Sequence, residues 1–209
     1  MDPVLVAFAT HWEDIHTTVT AEQSSDLDEL AAELAGASRR EAQLRVRYLM
    51  AELLGNALPP GHLVRRAIRD GERGEDIETV DLEDSVALLT LTSVRRSSRL
   101  AKLELLAEPG YTVDEVRARG ADPDLDGLLR LPTPEGGQRL PAFQFTESGA
   151  VPPVIIEINE LLRSADDPWG VADWWLRGNS WLGGVPAELL ASTSSEELLR
   201  AARAVRGEE

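Results

Sequence analysis

The chain has 209 residues, of which 43% are hydrophobic, and its 37 acidic against 21 basic residues give a net charge of −16. That length supports one large domain or two small ones around a buried core. It contains no cysteine, which excludes disulfides, a thiolate nucleophile and a thiolate metal site, and so acidic a charge repels nucleic-acid backbones and anionic lipid while favouring basic partners.

In chain order, "PVLVAFATHWEDIHTTVT" places Leu5, Phe8, Ala9, Trp12, Ile15 and Val19 at helical spacing over 3–20, with Pro3 suited to the first turn. Asp2 and the lack of a basic residue before this apolar run do not fit a secretory leader. Thr20 with Gln23 forms a capping-box pattern for a second helix over about 21–35, carrying Leu27, Leu30 and Leu34 inward. Ser38 with Glu41 repeats the pattern for a third helix, whose expected apolar face is Leu44, Tyr48, Leu49 and Leu53. "HLVRRAIRDG" is a short fourth helix, so residues 1–70 read as a small helical bundle.

Residues 71–80, "GERGEDIETV", read as a linker. A long amphipathic helix is expected over 81–107, with Leu82, Val86, Leu89, Val94, Leu100, Leu103 and Leu106. Its stripe is longer than one small domain covers, which predicts a homodimer or larger assembly. Arg95, Arg96, Arg99 and Lys102 lie within it, and such a run either grips phosphate or meets acids on a neighbouring helix. Thr112 and Glu115 cap a short helix ended by Gly120, and 121–138 reads as loop with one possible helical turn. "RLPAFQF" alternates like a short strand, in a strand or hairpin near 139–151. Helices then follow from Pro153, from Pro168 after Asp166 and Asp167, from Pro186, and from Ser194 with Glu197. No apolar run approaches the roughly 20 residues that span a bilayer.

Chemistry-bearing patterns are sparse. His11 and His16 stand five apart, off the spacing that aims two imidazoles at one metal, and both are expected at the rim of the first helix. The acid pairs Asp166/Asp167 and Glu157/Glu160 are simpler as helix-start charges and a solvated face than as catalytic carboxylates. The glycine runs lack the strand-before, helix-after context of a phosphate loop, and no serine lies in a nucleophile elbow. No catalytic residue, metal ligand or cofactor site is assigned, and a non-enzymatic, cytoplasmic protein is expected.

The informative stretch is "DPWGVADWWLRGNSWLGGVPAELL", which holds four of the five tryptophans. Val171, Trp174, Trp175 and Gly178 fall on one helical stripe, flanked by Trp169 and Trp181. Each indole alone is most simply core. Four together strain that reading, because indole N–H groups need partners and tryptophan is enriched at binding hot spots. At least one indole is therefore expected to face a partner.

Together with "RLPAFQF" and "EINELL", this stretch resembles the C-terminal domain of Xre/MbcA/ParS-type antitoxins. The matching positions are Arg139 to Phe145, Trp174, Asn179, Leu182 and Gly183, Pro186 to Leu190, and Glu196 to Val205. The resemblance implies that the region binds and occludes a cognate toxin of the RES type, an enzyme that uses NAD. It also implies a helix-turn-helix just upstream. "YTVDEVRARGADPDLDGLLR" supplies a degenerate one, whose second helix would carry Asp122, Asp124 and Asp126 where base contacts need Arg, Asn or Gln. Residues 1–107 lie outside the resemblance.

The expected fold is mainly α: an N-terminal helical bundle (1–70), a segment of linker, long connecting helix and degenerate helix-turn-helix (71–138), and a small antitoxin-like α domain with a short strand or hairpin (139–209). The expected partner-binding residues are Trp174, Trp175, Asn179, Trp181, Leu182, Gly183, Arg200, Arg203 and Arg206. The three arginines recur at i, i+3, i+6 and suit bidentate contact with carboxylates, or simply stabilise the helix end. A helical adaptor or oligomerisation protein, and a DNA-binding autorepressor, are the alternatives.

Overall fold

A computed structural model describes residues 1–74 and 82–207. The chain is mainly α, with one small antiparallel sheet, and divides into two compact units, residues 1–99 and 100–209. The sequence boundaries at 70 and 138 each fall inside one of these units. Residues 71–74 of the expected linker continue a helix, and the rest of that linker lies outside the described residues.

The first unit opens with α1 (Pro3–Thr10) and α2 (Trp12–Thr18), where one helix was expected. The break is at His11, whose φ of −108° and ψ of 19° leave the helical region. Asp2 caps α1: its carboxylate accepts from the Val4 and Leu5 amides, both at 2.9 Å, and from Arg47 Nε at 2.7 Å. Leu5, Phe8, Trp12 and Ile15 nonetheless form one continuous buried stripe. In α3 (Ala21–Gly36) both capping-box bonds between Thr20 and Gln23 are made, and Leu27 and Leu34 are buried.

Helix α4 (Arg40–Ala57) departs from expectation. Arg39, not Ser38, is its N-cap, and it makes no side-chain cap bond. Its buried face is Val46, Met50 and Leu54 with Arg47, while Tyr48 and Leu49 are exposed. Val46, Met50 and Leu54, at i, i+4 and i+8, are the apolar stripe this helix sends into the core, and Arg47 beside them is paired with the Asp2 carboxylate. Helix α5 (Leu63–Gly74) packs on α1 and α4. Helix α6 (Glu83–Ala107) starts in the first unit, where Leu82, Val86 and Leu89 join the core and Leu91 and Val94 stay exposed. His16 is buried, not at the rim: Nδ1 donates to the Trp12 carbonyl at 2.8 Å and Nε2 lies 3.0 Å from Asp28 Oδ1. Arg96 and Arg99 both reach the Glu13 carboxylate, so these two members of the basic run meet an acid on a neighbouring helix.

The second unit begins within α6. Strand β1 (Gly110–Thr112) and helix α7 (Val113–Ala118) follow, with the Thr112–Glu115 capping box complete. The strands β2 (Leu131–Pro132) and β3 (Gln138–Pro141) complete a sheet of order β1-β3-β2, with Tyr111 opposite Leu140 and Leu131 opposite Arg139. The expected strand near 139 thus pairs with segments upstream of it, and its end, Ala142–Gln144, turns into a 3-10 helix. Helices α8 (Pro153–Leu161), α9 (Pro168–Leu176) and α10 (Pro186–Leu189) each open on proline, whose fixed φ and missing N–H suit the first turn. Helix α11 (Ser195–Arg206) packs on α8. Leu129, Leu131, Ile155, Ile158, Val171, Trp175 and Leu198 form the core. Among the described residues no helix is long and apolar enough to cross a membrane.

The second helix of the expected helix-turn-helix is absent. Residues 119–130 form successive turns, with Gly120 and Gly127 at positive φ. Asp122 bonds its own chain two residues on, at the Asp124 amide (2.9 Å), a local bond that competes with helix formation.

Candidate partner-binding site

The nine candidate residues fall into three structural groups. Trp174 and Trp175 occupy the end of α9. Asn179, Trp181, Leu182 and Gly183 form the turn between α9 and α10. Arg200, Arg203 and Arg206 lie on α11.

Helix α9 starts where Asp167 Oδ1 accepts from the Gly170 amide at 2.9 Å, and its stripe points Val171, Ala172 and Trp175 into the core. Trp175 is completely buried, packs on Phe143 at 4.9 Å, and donates its indole N–H to Asn159 Oδ1 at 2.8 Å. Asn159 Nδ2 in turn donates to the Gly127 carbonyl at 2.8 Å and to Gln144 Oε1 at 3.2 Å. Gln144 clamps the Leu129 backbone from both sides, accepting from its N–H at 2.8 Å and donating to its carbonyl at 3.0 Å. Trp175 is therefore a structural anchor rather than a docking residue. Trp174 is half-buried, meets Trp175 edge to face at 4.8 Å, and keeps a buried Nε1 without a hydrogen-bond partner. Trp169 is half-buried, with Lys102 Nζ 5.3 Å from its ring centre.

The turn after α9 is built by Asn179. Its Oδ1 accepts from the Trp181 and Leu182 amides at 2.9 and 3.2 Å, and its backbone pairs with Gly184 in an isolated bridge. Gly183 takes a left-handed φ of 69°, which a side chain would strain. Leu182 packs back on the core. What remains outside is Trp181, 69% exposed. The four indoles thus divide into one anchor, two partly covered rings and one presented ring.

On α11 the buried residues are Leu198, Ala201 and Ala202; Arg200 and Arg203 occupy the opposite, exposed face, and Arg206 is exposed on its flank in the last turn. Among the described residues Arg200 and Arg203 have no ion-pair or hydrogen-bond partner. Asp173 and Arg177 are also exposed, but Arg177 is engaged with Glu104 and lies 3.8 Å from Asp173.

Sequence reasoning missed Asn159 and Gln144, whose side chains organise the interior beneath the turn. The available signal was an asparagine inside the apolar stripe of "VIIEINELL" and a glutamine between two phenylalanines. Among the described residues no group of three or more His, Asp or Glu stands close enough to hold a metal. The chain matches no family model, no curated protein and no solved structure.

Proposed function

We propose that this chain is an antitoxin-like binding protein of the cytoplasm, which docks on and occludes a cognate toxin of the RES type and performs no chemistry itself. The observation that carries this reading is Trp181, held at 69% exposure on a turn that Asn179 and Gly183 make rigid. Displaying a large indole to water has no stabilising value for the free chain. A pre-formed turn removes the ordering cost of presenting it, which is the arrangement of a binding hot spot. The unpaired guanidiniums of Arg200 and Arg203 add a second contact, suited to carboxylates on the partner.

The test is co-expression with the product of the neighbouring gene. Co-purification of the two, with the toxin's growth arrest relieved, supports the proposal. Loss of both on Trp181→Ala locates the contact, and failure to co-purify with a RES-type neighbour overturns it.

A helical adaptor or self-assembling protein is the second reading, favoured by the outward Leu91 and Val94 of α6. The autorepressor reading is disfavoured, because residues 119–130 offer turns where a recognition helix is needed.

A further inference from the structure

The first unit carries a cleft of about 330 Å³ between α4 and α5 that the proposed function does not use. Its polar lining is Arg47, Tyr48, Glu52, Asn56, Arg65 and Arg69. The register explains the convergence. Positions 47, 48, 52 and 56 recur at helical spacing along one side of α4, and 65 and 69 stand one turn apart on α5. The volume lies at the lower end of small-molecule sites, roughly 300–1,000 Å³.

Three guanidiniums on one cleft are conspicuous in a chain with a net charge of −16. Arg47 is buried, and its Nε bond to Asp2 Oδ2 at 2.7 Å neutralises it and fixes its place in the wall. Arg65 is half-buried and spends one Nη on the Leu58 carbonyl at 2.8 Å, which ties it to the loop before α5. Arg69 is exposed and has no ion-pair partner among the described residues. Arg65 and Arg69 are like charges at i, i+4, an arrangement that costs a helix stability unless an anion lies between them. Among the described residues Glu52 is the one carboxylate on the lining, and it forms no ion pair with any of the three. Counted over the described residues, the cleft therefore keeps an excess of positive charge in an otherwise acidic protein. Tyr48, 64% exposed at its edge, offers a ring face with no ring or cation partner among the described residues.

We propose that this cleft binds a mononucleotide-like ligand, with its phosphates between Arg65 and Arg69 and its planar ring on Tyr48. Arginine forks match phosphate oxygens bidentately, and aromatic faces accept bases by stacking. The inference is independent of any toxin, since it concerns the first unit alone.

The experiment is calorimetric titration of the full chain with ADP and with pyrophosphate, beside thermal unfolding with each. Both probes should bind and raise the melting temperature, ADP more tightly. Arg69→Ala should weaken both by about tenfold or more, the loss expected for one charge-assisted phosphate contact. Tyr48→Ala should weaken ADP alone. Both residues are exposed, so the unliganded variants should melt with the wild type, and Arg47 is left untouched because its ion pair is part of the fold. Absence of binding by ADP, unchanged affinity in Arg69→Ala, or unchanged ADP affinity in Tyr48→Ala each overturns the proposal.

Discussion

The indole N–H of Trp175 donates to Asn159 Oδ1 at 2.8 Å, with both side chains fully buried in the second unit. This bond ties α9 to α8, and through Asn159 to the Gly127 carbonyl and Gln144 it also holds the irregular stretch before β2. A buried polar network is stabilising only while every member is satisfied. Asn159→Leu keeps the branched shape but is larger, and it orphans the Trp175 N–H and the Gly127 carbonyl; it should destabilise by about 1–3 kcal/mol for each group left unpaired, with overpacking adding to that. Trp175→Phe removes the donor from the other side. The two substitutions should be non-additive in a urea-unfolding cycle, and simple additivity would show that the bond carries no coupling.

The same network shows where the sequence was legible and where it was not. Capping boxes at Thr20/Gln23 and Thr112/Glu115, and proline-opened helices at Pro153, Pro168 and Pro186, depend only on residues a few positions apart, and they read directly. Helix α4 did not, because two apolar stripes compete along it, and the one that is buried, Val46, Met50 and Leu54, also carries Arg47, whose ion-pair partner Asp2 lies forty-five positions away. Nor did the partition of the indoles. The stripe placed Trp174 and Trp175 together, but which one is buried depends on Asn159 facing it from α8. The missing second helix of the 110–130 segment agrees with the Pro- and Gly-punctuated loop read from residue 121 onward, and departs only from what the resemblance implied. Trp181 was named as a candidate, yet its prominence comes from Asn179 closing the turn beneath it.

That prominence separates stability from binding. Trp181→Ala removes a mostly exposed ring and should change unfolding free energy by less than about 0.5 kcal/mol. Affinity for the partner should fall at least tenfold, as for a central aromatic contact worth about 2 kcal/mol or more. Undiminished affinity would place the docking surface elsewhere.

The turn itself offers a complementary test. Asn179→Ala deletes both side-chain bonds to the Trp181 and Leu182 amides. Gly183→Ala meets no neighbour within 4 Å, so its only cost is the left-handed φ. Each should destabilise by about 1 kcal/mol. Partner binding should weaken in both although Trp181 is intact, because the indole must then be ordered on binding. Equal affinity for both variants and wild type would mean that rigidity of the turn is irrelevant.

Acid should release the start of α7. The Glu115 carboxyl is held below its ordinary value of 4.5, first by the Thr112 backbone N–H and then by the Thr112 hydroxyl. A group whose folded pKa is depressed contributes stability above its unfolded value and loses it as pH falls through the folded one. Fraying of Val113–Ala118 should therefore begin below the ordinary carboxylate range, followed by the carboxyl resonance of Glu115 and the Thr112 amide shift in an NMR titration. Glu115→Gln should remove that pH dependence while keeping most of the cap, since an amide oxygen still accepts from Thr112. A titration of Glu115 at or above its ordinary value would contradict the capping account.

The arginine face of α11 needs point substitutions rather than truncation. Deleting residues 194–209 removes Leu198, Ala201 and Ala202, all buried, and strips the cover from α8, so loss of binding would report only unfolding. Arg200→Ala with Arg203→Ala leaves that buried face intact. Both side chains are exposed on the opposite side of the helix, and Arg206 remains in the last turn to face the dipole. The double variant should melt within about 0.5 kcal/mol of wild type. If the partner presents carboxylates to these forks, association should slow and its salt dependence should flatten, because steering charges act chiefly on the on-rate. Combined with Trp181→Ala, the losses should add if the two surfaces bind independently. A double variant that neutralises the toxin with unaltered kinetics would assign the arginines to helix stability and solubility, and leave the Trp181 turn as the sole docking element.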